Sequence, residues 1–270
     1  MHYLLLFLAL FLTGCCSKES RACKQNLKGE CIYRLHNEYF FKPPVPHTLS
    51  REKYPWEERY IGHMPRITKE FFRCKGDPLN PVILQEKEGK ETVKYFDCQG
   101  GRTHGLPLQD GKEFVYPCLI EILNYIQQKT GKKVAITCGH RCPKHNLYVD
   151  PSPSNWGSKH MIGAEVDFYV EGMEEDPQAI VTLIQNYYKE KGPCTKEFIQ
   201  FQRYEKEGLN VSTAPWFNKE IFIKLYLPHE GRNVDNQHTH AYLGIQVRYD
   251  RATDMKVTFD QKQAQNYLRQ

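Results

Sequence analysis

Apolar and polar positions along the chain repeat with different periods in different stretches, and these periods predict the elements of an ordered body. Between Val115 and Lys129, Leu119, Ile122, Leu123 and Ile126 recur at helical spacing, and Gly131 follows in the manner of a C-cap. Lys133-Val134-Ala135-Ile136-Thr137-Cys138 then reads as a strand, and a second strand is expected at Ala164 to Val170. Between them lies a loop rich in Pro, Ser and Asn, from Pro143 to Gly157. Asp176 to Glu190 predicts an amphipathic helix with Asp176 as N-cap and Pro177 at its first position. Three more apolar runs close the body: Phe198 to Arg203, Ile221 to Leu227 and Ala241 to Tyr249. The last alternates Tyr242, Gly244, Gln246 and Arg248 against Leu243, Ile245, Val247 and Tyr249, as a half-buried strand does. Helices mixed with hairpin-joined strands predict an α+β fold.

The N-terminal part is patterned differently. Tyr3 to Leu12 is wholly apolar, about half the length a helix needs to cross a bilayer, and small residues follow it. Leu12-Thr13-Gly14-Cys15 resembles the bacterial lipobox, which implies a signal peptide over 1–14 and an acylated Cys15 that anchors the chain in a lipid membrane. An ordinary cleaved secretion signal is the alternative, and either one predicts export. Ser17 after Cys16, with no aspartate next to Cys15, points to the periplasmic face of an outer rather than an inner membrane. Residues 15–64, polar and interrupted by Pro43-Pro44-Val45-Pro46, read as a tether. The expected body spans 65–255 and a tail 256–270.

Composition narrows the class. With 40% hydrophobic and 26% charged residues, the chain is neither largely disordered, collagenous nor a multi-span membrane protein. Its net charge of +5 is spread without a basic block. That balance favours an anionic surface or polymer weakly and gives no reason to expect nucleic acid.

Ten cysteines are many for a cytosolic enzyme. After export, those beyond Cys15 are expected as bridge partners before zinc thiolates. Two segments echo each other, Phe71-Phe72-Arg73-Cys74-Lys75-Gly76 and Tyr95-Phe96-Asp97-Cys98-Gln99-Gly100, which suggests a Cys74–Cys98 bridge. Cys138–Cys142 and Cys23–Cys31 are further candidate pairs, and small buried thiols are the alternative.

The densest chemical signal is Ser158-Lys159-His160-Met161-Ile162-Gly163-Ala164-Glu165-Val166-Asp167, followed by His238-Thr239-His240. An imidazole and a carboxylate with a glycine between them can converge, and two histidines on a strand project to one face. Two imidazoles and one carboxylate make the ligand set of a catalytic zinc with a fourth position open for water.

The pattern Ser-x-His-x-x-Gly-x-x-x-Asp with a distant His-x-His resembles the zinc D-alanyl-D-alanine peptidases, relatives of lysostaphin-type endopeptidases and of the hedgehog signalling domain. Thr137-Cys138-Gly139-His140-Arg141-Cys142-Pro143-Lys144-His145-Asn146 is similar to that family's Ser-Gly-Tyr-Arg-x-x-x-x-Asn segment. The resemblance covers roughly residues 65 to 250. It implies a small antiparallel sheet with flanking helices and long loops, and one zinc ion held by His160, Asp167 and His240. It also implies transition-state stabilisation or proton transfer by His238, a substrate-facing or site-ordering role for Arg141, and substrate contact at Ser158. Glu165 departs from the family, which has alanine there. On a strand it shares a face with Asp167, as general base, extra ligand, barrier or salt-bridged wall residue. Proton transfer is therefore open between His238 and Glu165. The function implied is a membrane-anchored metallopeptidase that cleaves peptidoglycan stem peptides or cross-links through a zinc-activated water, as a D,D-carboxypeptidase or endopeptidase. The alternative is an inactive, disulfide-stabilised lipoprotein of the same fold that binds the cell wall or serves as a scaffold.

Overall fold

Leu119, Ile122, Leu123 and Ile126 are all fully buried on one stripe of helix α1, Pro117–Thr130. Proline stands in its first turn and Gly131, at φ 63°, caps its end, so the helical spacing and stop signal read from the sequence both hold. The computed structural model describes residues 31–33, 39–41, 59–87, 91–100, 104–205, 209–231 and 238–268. Two units divide the chain at residue 58. In the first, Cys31–Tyr33 pairs antiparallel with Tyr39–Phe41. Cys15, the leader and Cys23 lie outside the described residues. Among the described residues, no helix is long and apolar enough to cross a membrane.

The second unit is an α+β body built on a six-stranded sheet. Its strands are β1 Val134–Cys138, β2 Glu165–Val170, β3 Gln202–Arg203, β4 Trp216–Phe217, β5 Ile221–Tyr226 and β6 Tyr242–Val247. They lie in the order β3-β4-β5-β6-β2-β1, every neighbouring pair antiparallel. The alternation read from the sequence decides which face is which. Leu243, Ile245 and Val247 point with Val166, Phe168, Ile221 and Ile223 into the core. Helix α1 and the later helix Pro177–Glu190 contribute much of the remaining core. Tyr242, Gly244 and Gln246 face the opposite way, beside Glu165 and Asp167.

Between β1 and β2 the chain does not run as the expected loop. Helix α2, Pro143–Val149, starts at Cys142, whose side chain accepts from His145 N, and Pro143 sits in the first turn, where its missing N–H costs nothing. Helix α3, Pro177–Glu190, is capped as expected, with Asp176 accepting from Ala179 N at 3.1 Å. Two short helices follow, α4 Lys196–Ile199 and α5 Gln261–Gln265. Residues 256–268, expected as a tail, pack onto the body: Val257 and Ala264 join the core, and Gly105 N and Leu108 N donate to Tyr267 O and Asn266 O.

Candidate metal centre

Strand register brings one row of residues across four adjacent strands. Asp167 on β2 lies opposite Cys138 on β1 and opposite Gly244 on β6, and Gly244 lies opposite Lys224 on β5. The row therefore reads Lys224, Gly244, Asp167, Cys138. A Cβ at position 244 would stand 2.7 Å from Asp167 Oδ1, so the carboxylate fills the space a side chain would take.

His160 enters from the turn Lys159–Ile162, which begins at Ser158 and ends at Gly163 in the left-handed region, φ 69°. The ring is buried and held in one orientation. Nδ1 donates to the carbonyl of Gly139 at 2.7 Å, which leaves Nε2 without a proton in the neutral ring. Nε2 lies 3.3 Å from Asp167 Oδ2 and 3.7 Å from Glu165 Oε1. Cys138 Sγ is 3.5 Å from Nδ1 and accepts from Arg141 Nε at 2.9 Å. Gln246 Nε2 donates to Glu165 Oε1 at 2.6 Å.

The electrostatics follow from this crowding. Burial opposes a charged His160 ring, but the negative charges of Cys138, Glu165 and Asp167 outweigh it and hold the imidazole well above its ordinary range. Burial also opposes ionisation of Asp167. The charge and hydrogen bond of His160, with Arg141 and Lys224, overcome that and keep its carboxyl low. Two buried carboxylates facing a ring nitrogen require positive charge between them, as a proton or as a cation.

The donor geometry fits a cation. Cys138, His160 and Asp167 each offer one ligand atom, and these atoms lie within 4.8 Å of one another. The 3.3 Å between His160 Nε2 and Asp167 Oδ2 matches the edge, roughly 3.3–3.4 Å, of a tetrahedron whose ligands stand about 2.0–2.1 Å from zinc. A sulfur, a nitrogen and an oxygen suit zinc better than magnesium or calcium. The Gly139 carbonyl on Nδ1 is the outer hydrogen bond that metal-binding histidines ordinarily carry. The site opens into a cleft of about 320 Å³ that Ser158, Asn155, Asn210, Lys224 and Tyr226 also line.

Not every expected site residue arrives. His160 and Asp167 meet, and Glu165 points at them. His240 is not gathered with them: its ring lies tilted against Tyr169 at 4.5 Å and stacks on His238 at 5.0 Å. The cause is register. Leu243, Ile245 and Val247 must face the core, which sets Gly244 against Asp167 and leaves His240 four residues upstream, on the order of 13 Å along an extended chain. His238, stacked on His240 and edge-on to Tyr242, stays with that aromatic group. Arg141 lines the cleft but is buried, and it braces the site from behind: its N–H donates to His160 O at 3.4 Å and its Nε to Cys138. His140 is buried against Tyr267, away from the cleft.

Sequence reasoning missed Cys138 and Lys224 as site members. Lys224 carried a signal, as a lone cation on the Phe222-Lys224-Tyr226 side of an otherwise apolar strand. Two of the expected bridges, Cys74–Cys98 and Cys138–Cys142, also fall, whereas Cys23 of the third lies outside the described residues. Cys74, Cys98, Cys118, Cys138, Cys142 and Cys194 are all unbridged. Cys74 and Cys98 meet with their sulfurs 3.8 Å apart, nearly twice a disulfide's length of about 2.05 Å. Cys138 faces His160, whereas Cys142 is turned away by its capping role at α2 and lies with Cys74 and Cys98.

Comparison with protein-family models, with curated proteins and with solved structures finds no match to this chain.

Proposed function

We propose that this chain is an exported, membrane-anchored zinc hydrolase acting on peptide bonds of peptidoglycan stem peptides or cross-links, with one catalytic ion held by His160, Asp167 and Cys138. The approach of His160 Nε2 to Asp167 Oδ2 at 3.3 Å, in a cleft open to solvent, carries this reading. When bound, zinc supplies a Lewis acid and lowers the pKa of its water to about 7.

The chain's own groups divide the remaining work. Gly139 O holds the Nδ1 proton and so sets Nε2 as the ring atom that faces Asp167 and would meet the ion. Arg141 Nε–H donates to Cys138 Sγ and holds that sulfur in place beside His160. Glu165, oriented by Gln246, is the proton acceptor for an attacking water, the better placed of the two residues considered for that role. Lys224 presents a point charge on the cleft wall, suited to a substrate carboxylate. The choice of wall peptides rests on the sequence resemblance and on the net charge of +5. Purified sacculi incubated with the protein should release new fragments identifiable by mass spectrometry, and His160→Ala should abolish both the release and the binding of this ion.

One observation favours a second reading. Glycine stands opposite Asp167, and His240 lies against Tyr169 rather than with His160 and Asp167. A cell-wall-binding or scaffold lipoprotein of the same fold would co-sediment with sacculi, with and without His160, and release nothing.

A further inference from the structure

A second group of metal-ligating side chains lies apart from the cleft. We propose that Cys74, Cys98, Cys142 and His145 form a closed structural zinc site that ties the two echoing segments of the chain to the start of α2. The inference does not depend on the hydrolase reading.

Three sulfurs converge there, and an imidazole stands beside the second of them. Cys74, Cys98 and Cys142 have ligand atoms within 4.8 Å of one another, and Asp97, Cys98 and His145 do likewise. The sulfurs of Cys74 and Cys98 are 3.8 Å apart. With zinc–sulfur bonds of about 2.3 Å, the edge of a tetrahedral site is about 3.8 Å. Cys142 and His145 stand three residues apart at the start of α2, a spacing that puts both on one side of a helix. Three cysteines and one histidine complete four ligands, the closed set of structural zinc.

The surroundings are built for anionic sulfur and an oriented imidazole. His145 Nδ1 donates to Asp97 Oδ1 at 2.5 Å, and the same ring hydrogen-bonds Cys98. Asp97 also accepts from Cys98 N at 2.6 Å, Asp77 N at 3.0 Å and Asn80 Nδ2 at 2.6 Å. That is a carboxylate–histidine pair in the arrangement that orients metal ligands. The echo itself has a steric purpose. Each segment carries glycine two residues after its cysteine; a Cβ on Gly76 would lie 1.9 Å from Cys98 Sγ, and one on Gly100 2.1 Å from Gly76 O. The two Cys-x-Gly turns wrap one centre at a distance that no side chain permits.

The rival is a Cys74–Cys98 disulfide with Cys142 as a bystander, and the test separates them. Full-length protein carrying His160→Ala and Asp167→Ala, purified without reductant or chelator, should still contain about one zinc per chain by elemental analysis. Adding Cys98→Ser should bring that to zero. Cobalt in place of zinc should give a sulfur-to-cobalt charge-transfer band that Cys98→Ser removes, and Asp97→Asn should weaken zinc binding by about 10- to 100-fold. Should the cysteine variant fail to fold, chelator titration of the parent double variant gives the same answer, with three thiols becoming reactive as one zinc is released. No zinc in the double variant, or a Cys74–Cys98 disulfide in peptide maps of unreduced protein, overturns the proposal. The double variant already lacks the catalytic ion, so neither outcome bears on wall hydrolysis.

Discussion

At the scale of single residues, position 244 is the most constrained point of the cleft. An added methyl would stand 2.7 Å from Asp167 Oδ1 and 3.3 Å from Tyr226 Cε2, so either β6 or the carboxylate must move. Gly244→Ala should therefore lower unfolding free energy by about 1–3 kcal/mol in denaturant titrations. It should also weaken zinc binding measured by competition with a chromogenic chelator. Glu165 makes a different prediction. Glu165→Gln keeps the shape and the contact with Gln246 but removes the proton acceptor. Metal content should stay at the wild-type value while kcat on wall fragments falls by roughly 10²–10⁴-fold. Much of this chemistry was legible in the chain. The spacing of His160, Gly163 and Asp167 announced an imidazole and a carboxylate that meet, and they do. Cys138 was not legible, because a cysteine in an exported chain reads first as half of a bridge; only strand pairing shows it opposite Asp167.

Among the elements, local signals were reliable wherever a cap or a period decided the outcome. Helix α1 stops at Gly131 and α3 starts at Asp176 as read, whereas β6 ends at Val247 and is buried on both faces rather than one. Asp176→Ala removes the side chain that accepts from Ala179 N and should cost about 1 kcal/mol, seen as a lower Tm in a thermal melt. Helix α2 was read as loop because its flanks are rich in Pro, Ser and Asn; a proline at the first helical position starts a helix as readily as proline elsewhere ends one. Register was the element-level quantity the sequence did not disclose. A strand's alternation fixes which face each residue takes but not which neighbour it meets. That difference separates His240 from Asp167.

For the whole molecule, the α+β character followed from the mixture of periods, whereas the extent of the body did not. Short polar stretches such as 256–268 carry little periodic signal, yet Val257 and Ala264 are buried in the core. Removing residues 256–270 should lower the thermal midpoint by several degrees, as the loss of two core side chains and their backbone contacts requires. Removing residues 1–58 should leave a cooperative transition, because residues 59–270 form a unit of their own.

Cys138 and Cys142 sit at the two ends of one short stretch, Gly139-His140-Arg141, and belong to different candidate centres. That stretch is pinned from both sides: His140 N donates to Phe72 O at 2.6 Å, and Arg141 N to His160 O. An ion in either centre would fix one end of the stretch from which the other draws a sulfur, and any coupling between them would run both ways. Comparing zinc affinity at the cysteine centre with and without His160→Ala and Asp167→Ala should then expose that coupling as a shift in the chelator titration.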